Sequence, residues 1–220
     1  MTAFLTPVSF QARKLLAQQG LAVKHQLVLE TLASLLGYKS FAALKVEEDL
    51  PGQDYYLDDA EVLVVNQPEG LARALSLGLP GDQVVSACID ALKALCPTPV
   101  YVGVQDFYEM HAQQALIDAV YDSDDVAGAM ADTGASYEDD PDMDGEWQAA
   151  DLWRSQQTWS IEDGGVLSGD PVGDRIFAGD TLLCHGFLTY AKAGRAGLVL
   201  IETTGGASVD DSWRDYDDRL

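Results

Sequence analysis

The runs Ala60-Glu61-Val62-Leu63-Val64-Val65-Asn66 and Val100-Tyr101-Val102-Gly103-Val104 decide the fold. Each is a short apolar, β-branched segment bounded by polar or turn residues, the pattern of a strand buried in a sheet. Between them, Pro68 to about Leu77 predicts a short helix, which Leu79-Pro80-Gly81 breaks. Asp82 then caps a longer helix reaching Leu95, because Val84, Val85, Cys88, Ile89, Leu92 and Leu95 recur in the rhythm of one buried face. After the second strand, Asp106 opens a helix through His111, Leu116, Ile117 and Val120. Strand, helix, helix, strand, helix is an α/β order, and the chain is expected to be α+β or α/β.

Upstream, three helices are expected. Thr6-Pro7 opens the first, which carries Ala12, Leu15 and Leu16 on its apolar stripe and ends at Gly20. The second runs from about Lys24 to Leu36, with Gly37 where a left-handed C-cap belongs. Ser40 caps a short third helix from Phe41 to Lys45. Pro51-Gly52 punctuates this module and Gln53 to Asp59 reads as a linker, which sets the expected domains at 1–50 and 51–220. His25, with no carboxylate or cysteine at a telling spacing, is expected in a capping or half-buried structural role.

The string Arg13-Lys14-Leu15-Leu16-Ala17, Gly20, His25 and Leu29-Glu30-Thr31-Leu32-Ala33-Ser34-Leu35-Leu36-Gly37-Tyr38-Lys39-Ser40-Phe41-Ala42-Ala43-Leu44 resembles a short helical module. That module occurs in proteins of proteobacterial plasmids and integrative elements and beside some glyoxalase-superfamily domains. The resemblance, over about residues 11–45, implies company with mobile genetic elements rather than a chemistry. The metal-binding His/Glu pattern of the glyoxalase superfamily has no counterpart here. The same residues also suit a helix-turn-helix DNA-binding regulator, because Ala33 and Gly37 sit four apart. Against it, the candidate recognition helix offers few base-reading side chains and runs into Glu47-Glu48-Asp49, which would face phosphates.

Downstream, Thr181 to Tyr190 alternates or runs apolar, Lys192 to Gly197 is a turn, and Leu198 to Thr203 returns, a C-terminal β-hairpin. Between the α/β segment and the hairpin lie Trp147, Trp153, Trp159 and the Gly164-Gly165 pair. The last ten residues, Asp211 to Leu220, are expected to fray unless Trp213 or Tyr216 docks.

Charge gives the functional expectation. The chain of 220 residues has a formal net charge of −23, a field that repels nucleic acid and attracts basic proteins or cations. Residues 1–50 are close to neutral, whereas Ala94 to Trp153 holds fourteen Asp or Glu and no Lys or Arg. Inside that reach, Tyr121, Asp122, Asp124 and Asp125 form one acidic-aromatic group. Tyr137, Glu138, Asp139, Asp140, Asp142, Asp144, Glu146 and Trp147 form another. Aromatic rings anchor interfaces while charges steer them, so these residues are the expected contact surface for a basic protein partner. The competing reading is an acidic surface with no partner.

Asp140-Pro141-Asp142-Met143-Asp144-Gly145-Glu146 through Asp151 also matches the calcium loop of an EF-hand at its first, third, fifth, sixth and twelfth positions. Calcium is therefore the alternative ligand, through Asp140, Asp142, Asp144, Glu146 and Asp151, although position 12 is Asp rather than the longer Glu. Cys88, Cys96 and Cys184 are an odd number at no framework or zinc spacing, which suits free thiols and a cytoplasmic setting. Cys184 and His185 are neighbours that would face opposite sides of a strand, unlike a catalytic dyad. No secretory signal, membrane span, phosphate-binding Gly-rich loop, nucleophile elbow or H-E-x-x-H motif is present, and no cofactor is expected. The reading is a non-catalytic, inhibitor- or immunity-type protein of a mobile element that occupies a basic surface, that of a nucleic-acid-binding protein or a toxin.

Overall fold

A computed structural model describes residues 4–173 and 179–212. The fold is α+β, with helices mostly in the N-terminal half and strands mostly in the C-terminal half, ending in a strand pair. Two compact units share the chain. Unit 1 comprises residues 1–108, 151–159 and 190–200; unit 2 comprises 109–150, 160–189 and 201–220.

In unit 1, helices α1 (Leu5–Gln18), α2 (His25–Leu35) and α3 (Phe41–Glu48) come first. Local chemistry sets their ends. Ser40 Oγ accepts the Ala43 N–H at 3.1 Å to cap α3, and Gly37 adopts φ +84° just past α2, where a residue bearing Cβ would be strained. His25 lies half-buried at the start of α2, its Nε2 2.6 Å from Ser9 Oγ and its ring stacked on Phe10. It is a partnered structural histidine.

Strand β1 (Val62–Val65) follows, then α4 (Gln67–Ser76), α5 (Gly81–Leu95) and β2 (Val100–Val102). β1 and β2 pair in parallel, Leu63 opposite Val100 and Val65 opposite Val102, as a helical crossover requires. All four residues of β1 are buried. The three N-terminal helices do not stand alone. Val8, Ala12, Leu16, Val28, Leu32 and Leu36 join Leu63, Val84, Cys88 and Leu92 in one apolar cluster. The expected helix after β2 is divided: α6 (Gly103–Phe107), a π turn (Tyr108–Ala112), then α7 (Gln113–Tyr121).

The acidic reach carries α8 (Asp124–Asp132) and short strands β3 (Ala135–Ser136), β4 (Asp142–Met143) and β5 (Gln148–Ala149). Then come β6 (Thr158–Ser168), β7 (Asp170–Pro171) and the pair β8 (Thr181–Ala193) and β9 (Gly197–Val209). The main sheet is mixed, in the order β2-β1-β9-β8-β6-β4 with β5 also on β6; β3 and β7 form a separate antiparallel pair. Burial alternates along β6 and β8, the period of two that one covered face imposes. Unit 2 holds an apolar cluster of Val120, Val126, Leu167, Leu182 and Cys184, with Tyr137 packed against it, and also buries Leu116, Ile161 and Leu188. Residues 213–220, part of the stretch expected to fray unless Trp213 or Tyr216 docks, lie outside the described residues.

Among the described residues no helix is long and apolar enough to cross a membrane. The three cysteines are free, and burial pushes the Cys88 thiol up to about 12 and raises those of Cys96 and Cys184.

Candidate acidic interface

Dividing the sequence by unit sharpens the charge pattern. Unit 2 contains twenty-three Asp or Glu and three basic residues, Arg175, Arg214 and Arg219, none of them among its described residues. Unit 1 contains thirteen Asp or Glu and ten Lys or Arg. Arg73 pairs with Glu30, Arg154 with Asp151 and Arg195 with Glu47, three ion pairs within unit 1. Unit 2 thus carries twenty-three carboxylates against three arginines, and unit 1 thirteen against ten Lys or Arg.

Folding brings the two acidic groups of the sequence together. The Tyr121 hydroxyl, at the end of α7, donates to the carbonyl oxygen of Asp139 at 2.5 Å. Desolvation, and then the Asp140 and Asp139 carboxylates, raise its phenol pKa. Asp122, Asp124, Asp125, Glu138, Asp139, Asp140, Asp142, Asp144 and Glu146 are all exposed. Asp124 and Asp125 occupy the first turn of α8, where the amino end of a helix favours negative charge. The aromatic members divide. Tyr121 is 40% exposed, whereas Tyr137 is half-buried in the unit 2 cluster with its hydroxyl donating to Thr133 Oγ1 at 3.0 Å. Trp147 is half-buried as well.

The 140–151 segment forms strands rather than a loop between helices. Asp142 and Met143 pair with Val166 and Gly165, and Gln148 and Ala149 pair with Glu162 and Ile161. Gly145 has the positive φ, +71°, that the bend needs, and its N–H donates to Asp163 Oδ2 at 3.2 Å. The same carboxylate accepts the Gly164 N–H at 2.9 Å through Oδ1. A buried Asp of β6 thus fixes the turn. Asp151 belongs to unit 1, where it pairs with Arg154 at 3.3 Å. Among the described residues no three His, Cys, Asp or Glu converge on a metal-sized site.

One feature of unit 2 was not read from the sequence. A groove of about 430 Å³ is bordered by Asp124, Asp125 and Asp132 of α8, by His185 of β8 and by residues 206–209 of β9. His185 is exposed while its neighbour Cys184 is buried, on opposite faces as alternation requires. Its ring lies over Gly206, where a Cβ would sit 2.3 Å from Cε1. Gly205-Gly206 inside a strand was the available signal, because glycine there marks close approach.

No protein-family model matches the chain, and no curated protein or solved structure matches it.

Proposed function

We propose that this is a non-catalytic binding protein whose second unit presents a carboxylate face to a basic protein partner. The observation that supports it most is the charge excess of unit 2, twenty-three Asp or Glu against three Arg, with many of those carboxylates exposed. A charge excess on that scale is not needed for solubility, and it repels nucleic acid while steering a cationic surface into place. The resemblance of residues 11–45 to a module of mobile-element proteins suggests the partner: a nucleic-acid-binding protein or toxin of such an element, met in the cytoplasm. There the carboxylates would stand in for phosphates and Tyr121 would supply an aromatic contact.

The test is capture of partners from source cells on the immobilised full chain, followed by cross-linking and a NaCl gradient. The bound protein should be basic, should cross-link within residues 121–147, and should lose at least about tenfold in affinity between roughly 50 and 300 mM salt. Asp122→Asn, Asp124→Asn and Asp125→Asn together should weaken it, and Asp82→Asn with Asp90→Asn in α5 should not. Binding indifferent to salt, or cross-links confined to unit 1, would reject the reading.

A further inference from the structure

Unit 1 has a cavity of about 510 Å³ whose walls are unlike the rest of the chain. Four of its thirteen lining residues are Lys or Arg against two carboxylates, Glu69 and Asp151, the reverse of the balance in the chain, which has thirteen Lys or Arg to thirty-six Asp or Glu. Lys39 comes from the turn between α2 and α3, Arg73 from α4, Arg154 from the segment after β5, and Arg195 from the turn between β8 and β9. Four separate stretches of sequence thus bring cations to one concavity of a size suited to a small molecule.

The walls are held in place. Arg195 is gripped by Glu47, with Nε donating at 3.0 Å and Nη2 at 2.8 Å, and its guanidinium lies 5.2 Å from the centre of the Tyr38 ring. Arg73 Nη2 donates to Glu30 at 2.5 Å, but its Nε is buried with no hydrogen-bond partner. The Arg73 side chain is 32% exposed, which leaves donors beyond the one committed to Glu30 for a ligand oxygen. Lys39 is exposed. Trp153 is fixed by its Nε1, which donates to the Val64 carbonyl at 2.9 Å. Gly37 lets the ring come close: a Cβ there would lie 3.1 Å from Trp153 Cδ1 and 3.2 Å from Arg195 Cβ.

We infer that this cavity is a binding site for a small phosphate monoester carrying a ring, with the phosphate among Lys39, Arg73 and Arg195 and the ring against Trp153. The charge of the whole chain would otherwise repel such a ligand, so a cluster of cations is the feature that anion capture requires here. Cations arriving from separate elements suit a tetrahedral dianion, which accepts from several directions, better than a planar carboxylate, which one fork satisfies. The inference rests on unit 1 alone and is independent of the partner proposed for unit 2.

The experiment is calorimetric titration of the full chain with phenyl phosphate, with phenylacetate and NaCl of matched ionic strength as comparators. Phenyl phosphate should bind saturably, raise the thermal midpoint and change tryptophan emission. Lys39→Gln, at an exposed position outside the core, should weaken binding several-fold, Arg73→Gln should weaken it at least tenfold, and Lys93→Gln on α5 should leave it unchanged. Should Arg73→Gln fail to fold, Lys39→Gln and Trp153→Phe carry the test. Heat and midpoint changes no larger than those in matched NaCl overturn the inference, as does phenylacetate binding more tightly than phenyl phosphate. Affinity unchanged in both Lys39→Gln and Trp153→Phe overturns it too.

Discussion

Unit 1 and unit 2 are built from one chain under opposite electrostatic regimes. In unit 1, charges are nearly balanced and the functional groups are locked: Arg195 on Glu47, Tyr38 Oη on Glu48 at 3.1 Å, and Glu48 in turn on the Leu57 N–H at 3.1 Å. Glu48 is only 4% exposed, so its carboxyl lies above the usual carboxylate range, mainly through desolvation. Unit 2 is strongly acidic, and many of its carboxylates face solvent. The difference teaches where charge costs stability. A buried charge must be partnered, whereas an exposed one costs only tenths of a kcal/mol per neighbour and stays free to act on a partner.

The strongest way to break the comparison is at the β8–β9 turn. Gly194 has φ +63°, and a Cβ there would meet Tyr38 Oη at 2.7 Å and Glu48 Oε1 at 2.8 Å. Gly194→Ala should destabilise the folded state by about 2–4 kcal/mol in denaturant melts. Gly52→Ala, at φ +89° with nothing within 4 Å, should cost only about 1 kcal/mol. Gly206→Ala in unit 2 should cost less than Gly194→Ala, because the exposed His185 ring can swing aside.

Next in size is the buried carboxylate. Glu48→Ala strands the Tyr38 hydroxyl and the Leu57 amide and should cost about 2–3 kcal/mol. Glu138→Ala, at an exposed site of unit 2, should stay within about 0.5 kcal/mol of the parent. Equal losses at the two positions would erase the contrast between the units.

Lys192 supplies a pH test. The residue is 7% exposed, its Nζ donates to the Arg195 carbonyl at 2.7 Å, and desolvation lowers its pKa from 10.5 to about 7, against a smaller opposing effect of Asp151. Between those values the unfolded chain binds the proton that the folded chain has lost, so stability rises with pH. The contribution is fully present above 10.5 and is lost as pH falls through about 7, with a limiting slope of about 1.4 kcal/mol per pH unit. Lys192→Met should flatten that rise between pH 7 and 10 in chemical denaturation.

The smallest expected effect is salt. Raising NaCl from about 20 to about 300 mM should slow hydrogen exchange in α8 and β4, where carboxylates repel one another, by tenths of a kcal/mol. Amides of α2 and α5 should change less. The reverse order would place the electrostatic strain in unit 1. Calcium and magnesium at matched ionic strength should act alike on β4 unless the carboxylates of residues 140–146 take up calcium specifically, in which case Asp142→Asn with Asp144→Asn removes the difference.

Where a residue acts through its immediate neighbours, the sequence was legible. Ser40 caps α3, Gly37 takes the left-handed position after α2, and the expected stripe of α5 is largely buried, at Val84, Val85, Cys88, Ile89 and Leu92. The uneven charge is likewise written in the chain. Elements whose pattern is interrupted were less visible. β6 alternates Trp159, Ile161, Asp163, Gly165 and Leu167 along one face, and the buried Asp and the Gly break the apolar period that would have announced a strand. α8 buries only Val126 and contains Gly128, so its helical signal is weak. The π turn at Tyr108–Ala112 sits inside a run that reads as one uninterrupted helix.

Composition and local pattern determined by themselves that this protein has capped N-terminal helices, two short apolar strands separated by helices, a C-terminal strand pair and an extreme negative charge. Only the tertiary structure decided that Gly194 packs against Tyr38 and Glu48, that Tyr121 reaches Asp139, and that Lys39, Arg73, Arg154 and Arg195 line one cavity. Caps and periodicities are set by groups within one or two turns of each other. These contacts join residues as much as 156 positions apart, and beside them the Arg195 N–H donates to the Tyr38 hydroxyl 157 positions away; such meetings depend on how whole elements pack and leave no period in the sequence.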